Sequence, residues 1–115
     1  VEDQLSVFAA ILKEGGFIKA KTAGKKGRAL AVLVARGMIQ FSKALGFPVT
    51  LAEAGVSKAH LKRMTQAAKD PQLKMKLQNM PTPMEAERGD VDRLMKPTLE
   101  AAFTGNLDLI PAAAG

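Results

Sequence analysis

The chain has 115 residues, with 17 Lys and Arg against 11 Asp and Glu, one His, and no Cys, Trp or Tyr. The absence of cysteine removes disulfides, thiolate metal sites and cysteine nucleophiles, and one histidine excludes a histidine-rich metal cluster within a single chain. A chain of this length hides roughly two thirds of its unfolded surface on folding, so one modest core is expected without covalent staples.

Residues 2 to 14 place Leu5, Phe8 and Leu12 at helical spacing, and Gly15-Gly16 stops the pattern. From Lys19 to Gly27 the chain is lysine-rich and glycine-punctuated with no apolar period, which predicts an exposed loop. Arg28 to Leu45 carries Leu30, Leu33, Val34, Met38, Phe41 and Leu45, the strongest helical pattern in the chain, and Gly46 and Pro48 end it. Its Ala, Val and Ile flanks predict a helix buried on more than one side, at the centre of the core.

Beyond Pro48 the signals are short. Thr50-Leu-Ala-Glu53 matches a capping box for a helix of about one turn closed by Gly55. Ser57 caps a helix whose apolar stripe is Leu61, Met64 and Ala68, and Asp70-Pro71 ends it while capping the next segment, which runs to about Asn79. Thr82-Pro-Met-Glu85 offers another capping box, and Asp90 is expected to cap a final helix that Pro97 should kink. The reading is an all-α, irregular helical bundle of about five to six helices, a single domain over residues 1 to 110 with a flexible tail at 111 to 115.

Two regions concentrate positive charge. Residues 13 to 43 hold eight basic side chains against Glu14, and residues 57 to 77 hold six against Asp70, whereas both ends are acidic. The pattern fits either a polyanion partner or complementary faces within a larger assembly. Nucleic acid is disfavoured because no Tyr or Trp interleaves the lysines, and Phe17 is the nearest ring. Gly16 to Lys26 fails as a phosphate loop, having Lys19 and Lys26 where Gly and Ser or Thr are required. His60 lacks a carboxylate three or four residues away to orient it as a base, and Asp90, Asp92 and Glu100 read as capping and surface charge. No stretch approaches the roughly 20 apolar residues of a membrane span. Glu2 and Asp3 are unlike a signal peptide's basic start, so a cytoplasmic location is expected.

The run Ser42 to Val56, followed by Ser57 to Lys69, Asp70-Pro71 and Asn79-Met80-Pro81, resembles the C-terminal helical domain of the iron-containing alcohol dehydrogenase family. That family has a helix ending in Leu-Gly-apolar-Pro, a Thr-Leu-Xaa-Glu-Xaa-Gly-Val turn, and a helix leading to Asp-Pro and an Asn-Pro element. Residues 90 to 110 also look like the end of some members, so the resemblance covers about residues 35 to 110. It implies a dehydroquinate-synthase-like fold in a two-domain enzyme that passes hydride between an alcohol and NAD(P) with a divalent metal, iron or zinc. In that family one Asp and three His hold the metal, all upstream of the matched region. The resemblance therefore implies no catalytic, metal or cofactor residue on this chain, and places Gln72 and Asn79 at the wall of the substrate pocket. It implies the N-terminal nucleotide-binding domain of the same enzyme as partner, leaves a homo-oligomer open, and is consistent with Val1 opening a trimmed or internal piece. The sequence departs from the family in the longer Asp-Pro to Asn-Pro spacing, in Met80 between Asn79 and Pro81, and in Lys19 to Arg28, which has no counterpart. The alternatives are a small basic helical protein that binds nucleic acid or an acidic partner, and a standalone subunit-binding module.

Overall fold

A computed structural model describes residues 1 to 112; of the tail expected at 111 to 115, residues 113 to 115 lie outside the described residues. Among the described residues the protein is all-helical: α1 (Glu2–Glu14), α2 (Gly27–Ala44), α3 (Lys58–Ala67), α4 (Lys74–Gln78) and α5 (Lys96–Thr104), with short 3-10 turns and no strand. The chain forms two compact units, Val1–Val49 and Thr50–Gly115.

In the first unit α1 and α2 run side by side in the same direction. Glu2 and Asp3 share a shallow cleft with Lys25, Lys26 and Leu30, near the start of both helices. Phe17, just past the end of α1, meets Phe41 near the end of α2 edge-to-face, with ring centroids 5.3 Å apart. Parallel packing of consecutive helices requires the connection to travel back along them, which is why the lysine-rich segment before α2 is long and extended. The turn out of α1 is a Schellman motif around Gly16, whose φ is 82°. There the Phe17 amide donates to the Leu12 carbonyl at 2.8 Å, and the Gly16 amide to that of Lys13 at 3.0 Å. Gly46 ends α2 in the same way, with the Phe47 and Gly46 amides donating to the Ser42 and Lys43 carbonyls.

The core of this unit is Ala9, Leu12, Ile18, Leu30 and Val34, with Leu5 and Phe17 packed on it. Gly37 lets the chain after α1 lie against α2: a Cβ there would stand 2.7 Å from Ile18 Cγ1 and 3.0 Å from Leu12 Cδ1. The expectation that α2 is buried on several sides is corrected. Within its unit it buries Leu30, Val34 and Gly37 along one stripe, while Met38, Phe41 and Leu45 are exposed.

The second unit begins with Thr50 to Gly55, a hydrogen-bonded turn rather than the expected one-turn helix. The Glu53 amide donates to Thr50 Oγ1 at 3.0 Å, half of the expected capping box. The Leu51 amide donates to the Ala102 carbonyl of α5 at 2.9 Å, so this turn is tied down by the last helix. Ser57 caps α3, and Asp70 caps the Pro71–Leu73 turn leading into α4 by accepting from the Gln72 amide. The core is Ala68, Leu77, Met84, Val91 and Leu94.

Two expectations fail between α4 and α5. Thr82 to Glu85 caps no α-helix: Met84 is buried, its amide donating to the Leu77 carbonyl, and only a 3-10 turn, Ala86–Arg88, follows. Asp90 makes no cap hydrogen bond and is not a surface charge, being 3% exposed. Pro97 lies in the first turn of α5, directly after a π-helical turn, Val91–Met95. A proline has no amide proton to give the carbonyl four residues back, and widening the preceding turn accommodates that loss. Thr98 Oγ1 donates to the Leu94 carbonyl at 2.7 Å within the same stretch.

Candidate binding groove between the third and fifth helices

Ser57 sets where α3 starts and therefore which of its residues share a face. Its Oγ accepts from the His60 amide at 3.2 Å, and its amide donates to His60 Nδ1 at 3.0 Å, a reciprocal capping box. From that start, Lys58, Leu61, Lys62, Thr65 and Lys69 recur at helical spacing on one face, and in α5 Lys96, Leu99, Glu100 and Phe103 do the same. The two faces enclose a groove of about 590 Å³.

The groove has an apolar floor and a cationic rim. Leu61, Leu99 and Phe103 supply the floor, and Leu109 from the turn after α5 closes one side. Thr65 is buried, and its hydroxyl donates to the Leu61 carbonyl at 2.9 Å, so it offers no free nucleophile. Lys69 is neutralised by Asp92, Nζ to Oδ2, at 2.6 Å. Lys58, Lys62 and Lys96 on the rim have no ion-pair partner among the described residues. The groove therefore joins an apolar floor to exposed, unpaired lysines.

A second polar cluster lies beneath the π turn. Asp90 Oδ1 accepts from Arg93 Nη2 at 2.8 Å, and Oδ2 accepts from Arg88 Nη2 at 3.1 Å and from the Glu85 amide at 2.9 Å. These donors, Arg93 first and the Glu85 amide next, pull the Asp90 carboxyl down to a pKa of about 2. Gly89, with φ 76°, makes the turn that brings the carboxylate back over Glu85. Both oxygens are occupied by donors of the chain itself, so the cluster is a structural tie.

The residues singled out from sequence are dispersed. Gln72 is exposed on the 3-10 turn before α4, its amide bonded to Asp70 Oδ1, and Asn79 is exposed just after α4; neither lines the groove. His60 serves the α3 cap. Among the described residues no three His, Asp or Glu side chains come together in a way that could hold a metal ion. The lysines from 19 to 26 are exposed in the connection of the first unit. The basic run over residues 57 to 77 is legible in the sequence, but nothing there pairs it with Lys96 and Phe103, 27 and 34 residues beyond Lys69.

Among the described residues, no helix is long and apolar enough to cross a membrane. Comparisons with protein-family models, with curated proteins and with solved structures each returned no match.

Proposed function

We propose that this chain is a C-terminal helical portion of an NAD(P)-dependent, metal-dependent alcohol dehydrogenase. The observation that supports the reading best is the ordered series of turns at the residues carrying the resemblance. The Gly46 stop with Pro48 after it, the tied turn at Thr50 to Gly55, the Ser57 cap and the Asp70-Pro71 cap follow one another in that order. Exposed Phe8, Ile11, Met38, Phe41, Leu45 and Phe47 in the first unit also favour packing against further protein.

Among the described residues, the acids and His60 do not converge on a set that fits a catalytic metal. The chain's part in such an enzyme is to support a wall of the structure. The test is to incubate the purified chain with an alcohol, NAD or NADP, and ferrous or zinc ion while following nicotinamide absorbance. No turnover is expected, and turnover would refute the placement of the machinery elsewhere. Intact mass of the natural gene product provides the second test, a protein much longer than 115 residues being expected.

A second reading is a basic module that binds nucleic acid or an acidic partner. It is favoured by the charge of the first unit, which has eight Lys and Arg against three Asp and Glu. Binding to a DNA duplex that weakens steeply with salt would support it, and no affinity at low salt would remove it.

A further inference from the structure

We propose that the groove between α3 and α5 is a binding site for a small amphiphilic anion, a single-chain apolar body with a carboxylate head. The inference goes beyond the dehydrogenase reading and concerns the second unit by itself.

The second unit is close to neutral, with nine Lys and Arg against eight Asp and Glu. Three of its eight acids are paired away from the groove: Asp90 takes Arg88 and Arg93, Glu85 takes Arg88, and Glu87 takes Lys74. The groove lining itself carries a surplus of cations: Lys58 and Lys62 stand one turn apart on α3 toward the end of α5, and Lys96 stands toward the opposite end, where Lys69 meets Asp92. With Lys69 neutralised by Asp92, Glu100 is the one rim acid left to oppose three lysines.

Shape points the same way. A volume of about 590 Å³ falls within the roughly 300–1,000 Å³ typical of small-molecule sites. A protein partner would instead need about 800 Å² of surface on each side. The groove follows α5, whose nine residues extend about 13 Å at 1.5 Å each. Leu61, Leu99 and Phe103 can cover an apolar chain lying along it while Lys58 and Lys62, one turn apart, reach a carboxylate at the rim. Lysine suits this arrangement, since its stem packs on apolar surface and its ammonium remains in water.

The experiment titrates the full chain with decanoate, below its micelle concentration, by calorimetry and by methyl NMR. One saturable site is expected, with perturbed methyl signals of Leu61, Leu99 and Leu109. Decyltrimethylammonium, matched in chain length and opposite in charge, should bind at least about tenfold more weakly. The exposed double variant Lys58→Gln with Lys62→Gln should weaken decanoate about tenfold, the loss expected for charge-assisted contacts. Glu100→Gln should strengthen binding, and Lys76→Gln, outside the groove, should leave it unchanged. Equal binding of the two surfactants, indifference to the lysine substitutions, or methyl perturbations confined to exposed Val7 and Ile11 of the first unit would overturn the proposal. So would binding only to anionic vesicles or only to an acidic helical peptide. None of these outcomes bears on nicotinamide turnover, so this proposal and the dehydrogenase reading fail separately.

Discussion

Arg93 reaches back three residues to Asp90, Nη2 to Oδ1 at 2.8 Å, and so holds a carboxylate that is almost wholly removed from solvent. The pair matters because the second carboxylate oxygen ties down the Glu85 amide, which joins the loop after α4 to the turn before α5. Its folded pKa of about 2 lies below the ordinary 3.8. A depressed acid stabilises the folded state above its unfolded pKa, and that stabilisation is lost as pH falls through the folded value.

The first prediction is therefore a stability loss between pH about 4 and about 2 that is larger for the native chain than for Asp90→Asn. At neutral pH, Asp90→Ala should lower Tm by several degrees, because it leaves the Glu85 amide and two guanidinium groups without their acceptor. Asp92→Asn, which breaks the half-exposed pair with Lys69, should cost at most about 1 kcal/mol. Thermal melts across the acid range check all three.

A second prediction concerns Gly37. Alanine is the better helix former by about 1 kcal/mol. The added methyl would nevertheless stand 2.7 Å from Ile18 Cγ1 and 3.0 Å from Leu12 Cδ1, both on buried side chains. Overpacking of this kind costs typically 1–3 kcal/mol, so Gly37→Ala should lower stability by about 1 kcal/mol and Gly37→Val by more. Urea unfolding with an unchanged m-value is the measurement, and a more stable alanine variant would show that α1 and α2 separate freely.

His60 provides a third. If its ring serves the α3 cap through Nδ1, His60→Gln should keep the acceptor and stay within a few tenths of a kcal/mol, whereas His60→Ala should lose about 1 kcal/mol. Ser57→Ala, which removes the other half of the box, should cost a similar amount. Equal stability of all three variants would remove the cap from the account of α3.

The fourth prediction tests the cause of the π turn. Pro97→Ala restores an amide at the position where an α-helix needs a donor for the Arg93 carbonyl. Val91–Met95 should then tighten toward α geometry, and the new amide should be protected from hydrogen exchange. A freely exchanging amide would mean that Asp90 and the core around Val91, rather than the proline, hold the turn wide.

The helix stops at Gly16 and Gly46 and the caps at Ser57 and Asp70 were legible in the sequence because the interactions that make them lie within six residues of one another. Gly16 and Gly46 at positive φ, Ser57 accepting from His60, and Asp70 accepting from Gln72 are local bonds that the residue types nearly dictate. The all-helical class follows from the same short-range patterns. Where local bonds compete with burial, the reading failed. Asp90 has the chemistry of a cap, yet the Gly89 turn and the packing of Val91 and Leu94 draw it inward to Arg88, Arg93 and Glu85.

Periodicity likewise shows that a helix has an apolar stripe without saying what covers it. That is why α2 reads as buried on more than one side, while in its unit only Leu30, Val34 and Gly37 are enclosed. The parallel course of α1 and α2, and the meeting of the α3 lysines with Phe103 and Lys96, belong to the tertiary structure alone. They depend on which surfaces exclude water together across long stretches of chain, and burial is a non-directional force that a local pattern does not assign to partners.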